Sequence, residues 1–398
     1  MTTVPYGTRS SAAAILQDLA DRHPLPISAL VHLTRRCNLS CVHCFQADRG
    51  GRELTAAQWE VVLGRLADAG VLFMTFTGGE PALRDDFLDL VRLARSMHFA
   101  LKIKTNGLLL DPAACDALSA AAVLEVQFSL YSTDPDAHDR VTGLPGSHAR
   151  TLAAARRLRG AGTSVLLACP LMAETFDGYE RLIDFARAEG MNYLFDPGIR
   201  IREDGCEDPA AMRLSEDQIE RLLSDDRVFA RDAAAPLRTR PLDAPVCNVG
   251  KAMVAVAPDG DVWPCLRLPV SLGNLLDEPL DRIWIDSPVL ASYRLRWDDL
   301  PECRSCDLRP HCIRCHAEAL REDGDLRGPS RLACRLARVR ARMAGRDRAE
   351  SAPAPIPLYR TGRKEEPQRN SGAGPALASS AGPDILRRGL NEPVARGT

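Results

Sequence analysis

The chain has 398 residues, length enough for two domains and a sizeable core, with 45% hydrophobic residues and a formal net charge of −2. So balanced a charge supplies no bulk attraction to nucleic acid or to an anionic membrane surface. No run of eighteen apolar residues is present to cross a bilayer.

Residues 1–27 form an N-terminal segment broken by charge at Asp18, Asp21 and Arg22. It lacks the apolar run and cleavage site of a secretory signal, so the expected location is the cytoplasm. From residue 28 onward, short apolar runs alternate with helical patterns. The predicted strands are 29–34, 71–77, 100–105, 123–130, 164–170 and 192–196. The predicted helices between and after them are 55–69, 84–97, 112–121, 147–161, 176–189 and 215–223. Two of these helices open on a capping box, Thr55 with Gln58 and Ser215 with Gln218. Six βα units in succession, over residues 28–240, predict a parallel sheet with helices outside. An open Rossmann sheet and a full or partial barrel share that pattern.

Residues 245–343 are short on strands and rich in Cys, Pro and Gly, as in a small domain held by metal more than by a core of its own. A basic amphipathic stretch at 331–343 closes it, and Trp263 and Trp284 are expected to pack within it. The tail, 345–398, is rich in Pro, Gly, Ser and Ala and reads as disordered.

The 13 cysteines are unevenly placed: three at 37–44, seven from 247 to 334, and Cys115, Cys169 and Cys206 apart. Disulfides are rare in the cytosol, so clustered cysteines there point to metal. Cys37, Cys41 and Cys44 have the spacing C-x3-C-x2-C, directly after the first strand. Three thiolates can hold three corners of an iron–sulfur cubane and leave the fourth iron open to bind a ligand, whereas closed sites are structural or only pass electrons. A zinc site completed by His32 or His43, or three unrelated thiols, is the alternative. Cys115 and Cys169 lie in helical and strand patterns and read as core residues.

The loop resembles the signature of the radical S-adenosylmethionine (SAM) superfamily, and further matches follow in order. The second strand ends in TGGEP, Thr77 to Pro81; the third ends in TNG; the fourth ends in FSLYS, with Ser129 as its serine. The resemblance implies a partial (β/α)6 TIM-like barrel and a [4Fe–4S] cluster on Cys37, Cys41 and Cys44. SAM would bind the open iron and be cleaved reductively to a 5′-deoxyadenosyl radical. It also implies that His43 packs on adenine, that Gly78, Gly79 and Glu80 receive the amino group of SAM, and that Ser129 meets its ribose or carboxylate. Glycines suit such a place because they let a ligand approach the backbone. Two departures stand out: Tyr131 replaces the family's aspartate, and Thr142 occupies a position where relatives often carry arginine. Arg140 is the nearby substitute, with a solvated surface arginine as the other reading. His138 and Asp139 resemble a recurring pair with a capping or a catalytic role.

The later cysteines run C247-x12-G260-x4-C265, then C303-x2-C306-x5-C312-x2-C315, then Cys334. This resembles the SPASM extension of radical SAM enzymes, one residue short before Cys315. The resemblance implies two auxiliary [4Fe–4S] clusters: an outer one on Cys303, Cys306, Cys312 and Cys334, and an inner one on Cys247, Cys265 and Cys315. The inner set lacks a fourth cysteine, so that position is open or is filled by Cys206 or His316. Asp196, Arg200 and Arg202, after the sixth strand, are candidates to hold a substrate carboxylate or orient a peptide, beside ordinary loop charges.

The implied function is hydrogen abstraction from a ribosomal peptide or protein side chain, leading to crosslinking, oxidation or decarboxylation. Its partners would be a small precursor peptide, a separate peptide-recognition protein, and an electron donor such as a flavodoxin or ferredoxin. The alternatives are radical SAM chemistry on a small molecule or tetrapyrrole, and a non-catalytic zinc-binding scaffold. The motifs name no catalytic acid or base.

Overall fold

A computed structural model describes residues 25–229, 241–247 and 249–346, all within one compact unit. The expectations for residues 1–24 and for the tail from 347 lie outside the described residues.

Six parallel strands follow the predicted order: β1 Ser28–His32, β2 Phe73–Thr77, β3 Ala100–Thr105, β4 Glu125–Ser129, β5 Val165–Pro170 and β6 Asn192–Asp196. The helices among and after them are α1 Ala56–Asp68, α2 Phe87–Ser96, α3 Pro112–Ala120, α4 Pro135–Thr142, α5 Ser147–Gly160, α6 Tyr179–Ala188 and α7 Glu216–Leu223. The sheet order is β6-β5-β4-β3-β2-β1-β7-β8, so β6 forms one end and the barrel stays open, a partial (β/α)6 form. Both predicted capping boxes are present, at Thr55 and at Ser215.

The period of two along each strand separates two environments. Met74, Phe76, Leu101, Ile103, Val126 and Phe128 are buried in the main core, with Trp59, Leu63, Leu90, Leu118 and Leu158 from the helices. The alternate positions, among them Thr75, Lys102, Lys104, Gln127 and Ser129, therefore face the barrel interior. That interior is polar, unlike the close-packed branched layers of a full barrel. Lys104 is held below its ordinary pKa by burial and by the neighbouring charge of Lys102.

The second region carries strands that its composition does not announce. β7 Met253–Val256 pairs parallel with β1, and β8 Val262–Trp263 turns back antiparallel on β7. Beyond them lie α8 Leu280–Trp284, α9 Pro288–Tyr293, α10 His316–Asp323 and α11 Arg331–Arg346. Leu275, Leu280, Ile283, Trp284 and Leu290 join the barrel's main core. Trp284 is therefore shared between the regions, not packed within a small separate domain. Trp263 packs with Ala255 and Ala257, and its ring meets His32 edge-on at 5.9 Å. No helix among the described residues is long and apolar enough to cross a membrane.

Thr55→Ala removes the acceptor for the Gln58 amide and should lower the unfolding free energy by about 1 kcal/mol. Denaturant titration reads this directly; an unchanged midpoint would mean that the cap carries no weight in the folded state.

Candidate functional site: three sets of sulfurs on an open barrel

The cysteine loop leaves β1 through Leu33, whose amide donates to the Thr77 carbonyl and extends the sheet by one step. Glu53 fixes the base of the loop: it accepts from the Thr34 hydroxyl and from Arg36 at 3.0 Å, and pairs with Arg84 at 3.5 Å. Arg84 is buried and also donates to the carbonyls of Leu33 and Leu54. Burial works to raise the Glu53 carboxyl, yet the hydrogen bonds from Arg36 and Thr34 hold it below its ordinary range.

Gly78 and Gly79 lie directly against this base. Gly79 N donates to Thr34 O and Glu80 N to Arg36 O, both at 2.8 Å. A Cβ on Gly78 would come within 2.3 Å of Thr34 O, and one on Gly79 within 2.2 Å of Arg36 O. Gly78 also has φ of +149°, in the region that favours glycine. The close approach expected of a ligand is thus made by the chain's own backbone. Glu80 is fully buried and accepts from Thr105 Oγ1 and Asn106 N at 2.7 Å and from Ala82 N at 3.1 Å. Burial pushes its carboxyl up, against those hydrogen bonds. Asn106 in turn donates to Asn38 within the cysteine loop at 2.7 Å.

The far flank of the loop is held by α4. Ser40 N and Val42 N donate to the carbonyls of Thr142 and Val141. Asp139 accepts from Ser147 Oγ at 2.7 Å and His148 N at 2.9 Å, and so caps the start of α5. His138 accepts from the Tyr131 amide at 3.3 Å, and burial lowers its pKa to about 4. Of the two roles expected for the recurring pair, the capping one is made here by Asp139. Tyr131, buried where the family has aspartate, donates its hydroxyl to Cys41 Sγ at 3.8 Å and is bonded to Ser129. The His43 ring meets Tyr131 edge-on at 4.8 Å, and burial keeps His43 neutral with a pKa near 4. Arg140 is exposed and pairs with Glu174 at 3.5 Å, which favours the solvated reading of that residue.

The ten motif cysteines fall into three sets. Burial pushes the Cys41 thiol up to about 12, and Cys44 and Cys37 add to the rise. Cys247 goes to about 11 by burial, with Cys315 and Cys265 contributing; these three pack beside Val249, Leu268 and Ala317. Cys312 goes to about 12 by burial, with Cys334, Cys303 and Cys306 contributing; Cys303 and Cys312 pack beside Trp297, Leu300 and Leu326. Bare thiols so placed stay protonated, and a cationic iron core is what makes their ionised form favourable. Among the described residues, no three His, Cys, Asp or Glu side chains converge as one ion requires. Sulfur-only sets of three, three and four are the donor sets that iron–sulfur clusters take.

His316 does not suit the vacant place in the inner set. Arg314 Nη1 lies 2.6 Å from His316 Nδ1. A guanidinium has no lone pair to offer, so Nδ1 accepts, the proton sits on Nε2, and no lone pair remains there for iron. Cys206 is half-buried in the loop after β6, its amide donating to Asp204, and it is not among the sulfurs that act on Cys247 or Cys265. Cys115 and Cys169 are core residues, each 1% exposed.

Past β6, Asp196 and Arg200 pair at 3.1 Å, and Arg200 Nε lies 3.1 Å from the buried Glu318 of α10. Arg202 pairs at the surface with Asp204. Asp196, Arg200, Arg267, Cys315, Glu318 and Arg340 help line a cavity of about 240 Å³ between β6 and the second region. A sulfur of the inner set thus faces the same space as charges from the barrel.

A chain that sets three sulfurs at the mouth of an open βα barrel, and seven more in an appended region, has the build of a radical SAM enzyme with auxiliary clusters. It belongs to the radical SAM superfamily, in the SPASM-bearing branch that includes the PqqA peptide cyclases: the Radical SAM superfamily pattern matches residues 31–186 and the SPASM iron–sulfur cluster-binding domain matches 247–307. PqqA peptide cyclase of Gluconobacter oxydans is 32% identical over 313 residues, covering 74% of this chain and 87% of the relative. That of Ruegeria pomeroyi is 33% identical over 320 residues, covering 76% and 85%. In fold, the chain is similar to Streptococcus suis SuiB bound to its precursor peptide SuiA, with a TM-score of 0.62 at 17% identity over 81% of this chain and 80% of that one. It is equally similar to anSMEcpe with bound AdoMet, with a TM-score of 0.62 at 17% identity over 81% and 94%.

Gly79→Ala should displace the cysteine loop and lower iron bound by the barrel set, while Gly64→Ala on α1, where nothing lies within 4 Å of the added Cβ, should not. Iron and sulfide analysis of the two variants after anaerobic reconstitution tests this; equal loading would show that the glycine seam is dispensable.

Proposed function

We propose that this enzyme modifies a ribosomally made peptide, forming a crosslink within it. The observation that carries the reading is the grouping of ten sulfurs into one barrel set and two auxiliary sets, in a chain whose relatives are named for peptide cyclisation. Cys37, Cys41 and Cys44 hold the cluster that binds SAM. Cys303, Cys306, Cys312 and Cys334 hold the outer auxiliary cluster, and Cys247, Cys265 and Cys315 the inner one, whose fourth position stays free for a ligand that is not a protein imidazole. With SAM bound, the barrel cluster supplies a carbon radical able to break an unactivated C–H bond, which acid–base groups cannot ionise.

The chain's own residues do the positioning. The seam at Gly78 and Gly79 keeps the three sulfurs at the barrel mouth, with Glu80 bracing it against β3. Ser129 lies on the interior face, within reach of a ligand in the polar barrel, and His43 offers a neutral ring at the same mouth. Arg200 and Glu318, beside Cys315, orient the peptide between the two cluster regions. The reaction belongs in the cytoplasm, where thiols stay reduced and a flavodoxin or ferredoxin can donate the electron. Anaerobic incubation with SAM, reductant and any short peptide found encoded beside this gene, followed by mass spectrometry, tests the reading. A mass loss of two hydrogens per new bond is expected, one leaving as an atom to the 5′-deoxyadenosyl radical and the other as a proton, with its electron passing to an auxiliary cluster; an unaltered peptide alongside active SAM cleavage would redirect the search to small molecules.

Replacing Cys37, Cys41 and Cys44 together by Ala should remove one cluster's iron and abolish reductive SAM cleavage. Surviving cleavage would refute the assignment. Replacing Cys303 and Cys306 by Ala should leave some 5′-deoxyadenosine formation but little or no modified peptide, because those sulfurs belong to a separate set. Modification at the wild-type rate would show that the outer cluster has no part in the reaction.

A further inference from the structure

Arg314 is 2% exposed, and its guanidinium is fully engaged without meeting an acid. Nε donates to Gly328 O at 3.0 Å, Nη2 donates to Leu326 O at 2.7 Å, and Nη1 donates to His316 Nδ1. Among the described residues no carboxylate comes within ion-pairing distance of it. A buried cation without an anion is costly, so a partner charge is required. The position of the side chain indicates what that charge is. Arg314 precedes Cys315 of the inner set in the chain, and Leu326, whose carbonyl it binds, packs against Cys303 and Cys312 of the outer set. Its guanidinium also bonds Cys303 of the outer set, and its charge acts on Cys247 of the inner set and on Cys334 of the outer one. Cys37 and Cys41, in the barrel, are acted on instead by Arg49.

Two further arginines serve the same sulfurs, Arg267 half-buried and Arg340 buried. Arg267 Nη1 donates to Cys315 Sγ at 3.7 Å. Arg340 is 6% exposed, faces Cys312, and also lacks a carboxylate partner among the described residues. Of the three, Arg314 is the one that reaches both sets.

We propose that Arg314 is the shared counter-cation of the two auxiliary clusters and sets their reduction potentials together. The proposal rests on the cluster assignment above. A reduced cluster carries one more negative charge than its oxidised form, so a nearby fixed cation stabilises the reduced state and raises the potential. Because one guanidinium serves both sets, removing it moves both potentials in the same direction.

The test is a redox titration of the three clusters in reconstituted full-length protein, followed by electron paramagnetic resonance. In Arg314→Gln, both auxiliary potentials should become more negative, each by about tenfold in its one-electron equilibrium, or 59 mV, while the barrel cluster stays where it was. Full cluster loading with unmoved auxiliary potentials overturns the proposal, as does movement of the barrel cluster by the same amount. If Arg314→Gln fails to load the auxiliary sets, Arg314→Lys decides. Loading with potentials near those of the wild type supports a role for the charge, and failure of Lys as well assigns Arg314 a purely structural role and overturns the proposal. A wild-type protein without auxiliary clusters would overturn this proposal together with the reading beneath it, whereas clusters present with unmoved potentials overturn this proposal alone.

Discussion

Everything at the barrel mouth depends on one seam, where the backbone of Gly78 and Gly79 lies on the backbone of Thr34 to Arg36 with no room for a side chain between them. A loop of irregular backbone has many conformations to lose, and a cluster must find its three sulfurs near their final places if binding is not to bear that whole entropy. Here the ordering is done beforehand by main-chain hydrogen bonds on both flanks, to the end of β2 and to the end of α4. Glu80 extends the seam by one strand: its buried carboxylate takes donors from the end of β3, and Asn106 there reaches back to Asn38 inside the loop. The glycines and the glutamate of this motif thus act as carpentry around the site before they act on any ligand.

The same strand carries the constraint into the second region. β1 bears the cysteine loop at its end and β7 along its side, and β7 lies in sequence between Cys247 and Cys265. Two of the inner set's sulfurs are therefore placed by a strand in register with the one that places the barrel set. Trp284 and its neighbours complete the arrangement by packing into the barrel's core. A domain of this kind has little independent existence. Its geometry relative to the barrel is fixed by a sheet instead of a hinge, which suits a reaction in which two metal groups must face one substrate.

The extent to which this was legible follows from how local each signal is. β3 and β6 keep their predicted bounds because alternation and flanking turn residues are encoded within a few positions. β1 ends at His32, earlier than its apolar run suggests, because Thr34 turns aside to Glu53. α4 is absent from the predicted helices because it is short and polar, although Asp134 followed by Pro135 is a legible start signal. β7 and β8 are too short to stand out, yet the Pro258-Asp259-Gly260 turn between them is a hairpin cue. The division of the later cysteines came through resemblance, since spacing alone permits other groupings. Asn106 stands in the legible TNG segment, though its reach to Asn38 is not legible there; Glu53 and Arg84 could not be found in advance, because each acts on a loop distant in sequence and carries no local pattern.

The arginine bias of the chain, 51 basic residues of which four are lysine, invites a coding explanation, and for the exposed side chains that explanation is sufficient. Burial makes the choice physical. Lys104, inside the barrel, shows what happens to an ammonium in such a place: burial drives its pKa down, toward loss of its charge. Burial lowers Arg340 too, but a guanidinium begins so much higher that arginine stays charged in proteins. It also distributes its donors over a planar fork, which lets Arg314 satisfy two carbonyls and an imidazole while its charge remains for the sulfurs. A region that must keep fixed positive charge among buried thiolates while also satisfying fixed carbonyls is therefore better served by arginine than by lysine, whose charge there would depend on the anions beside it.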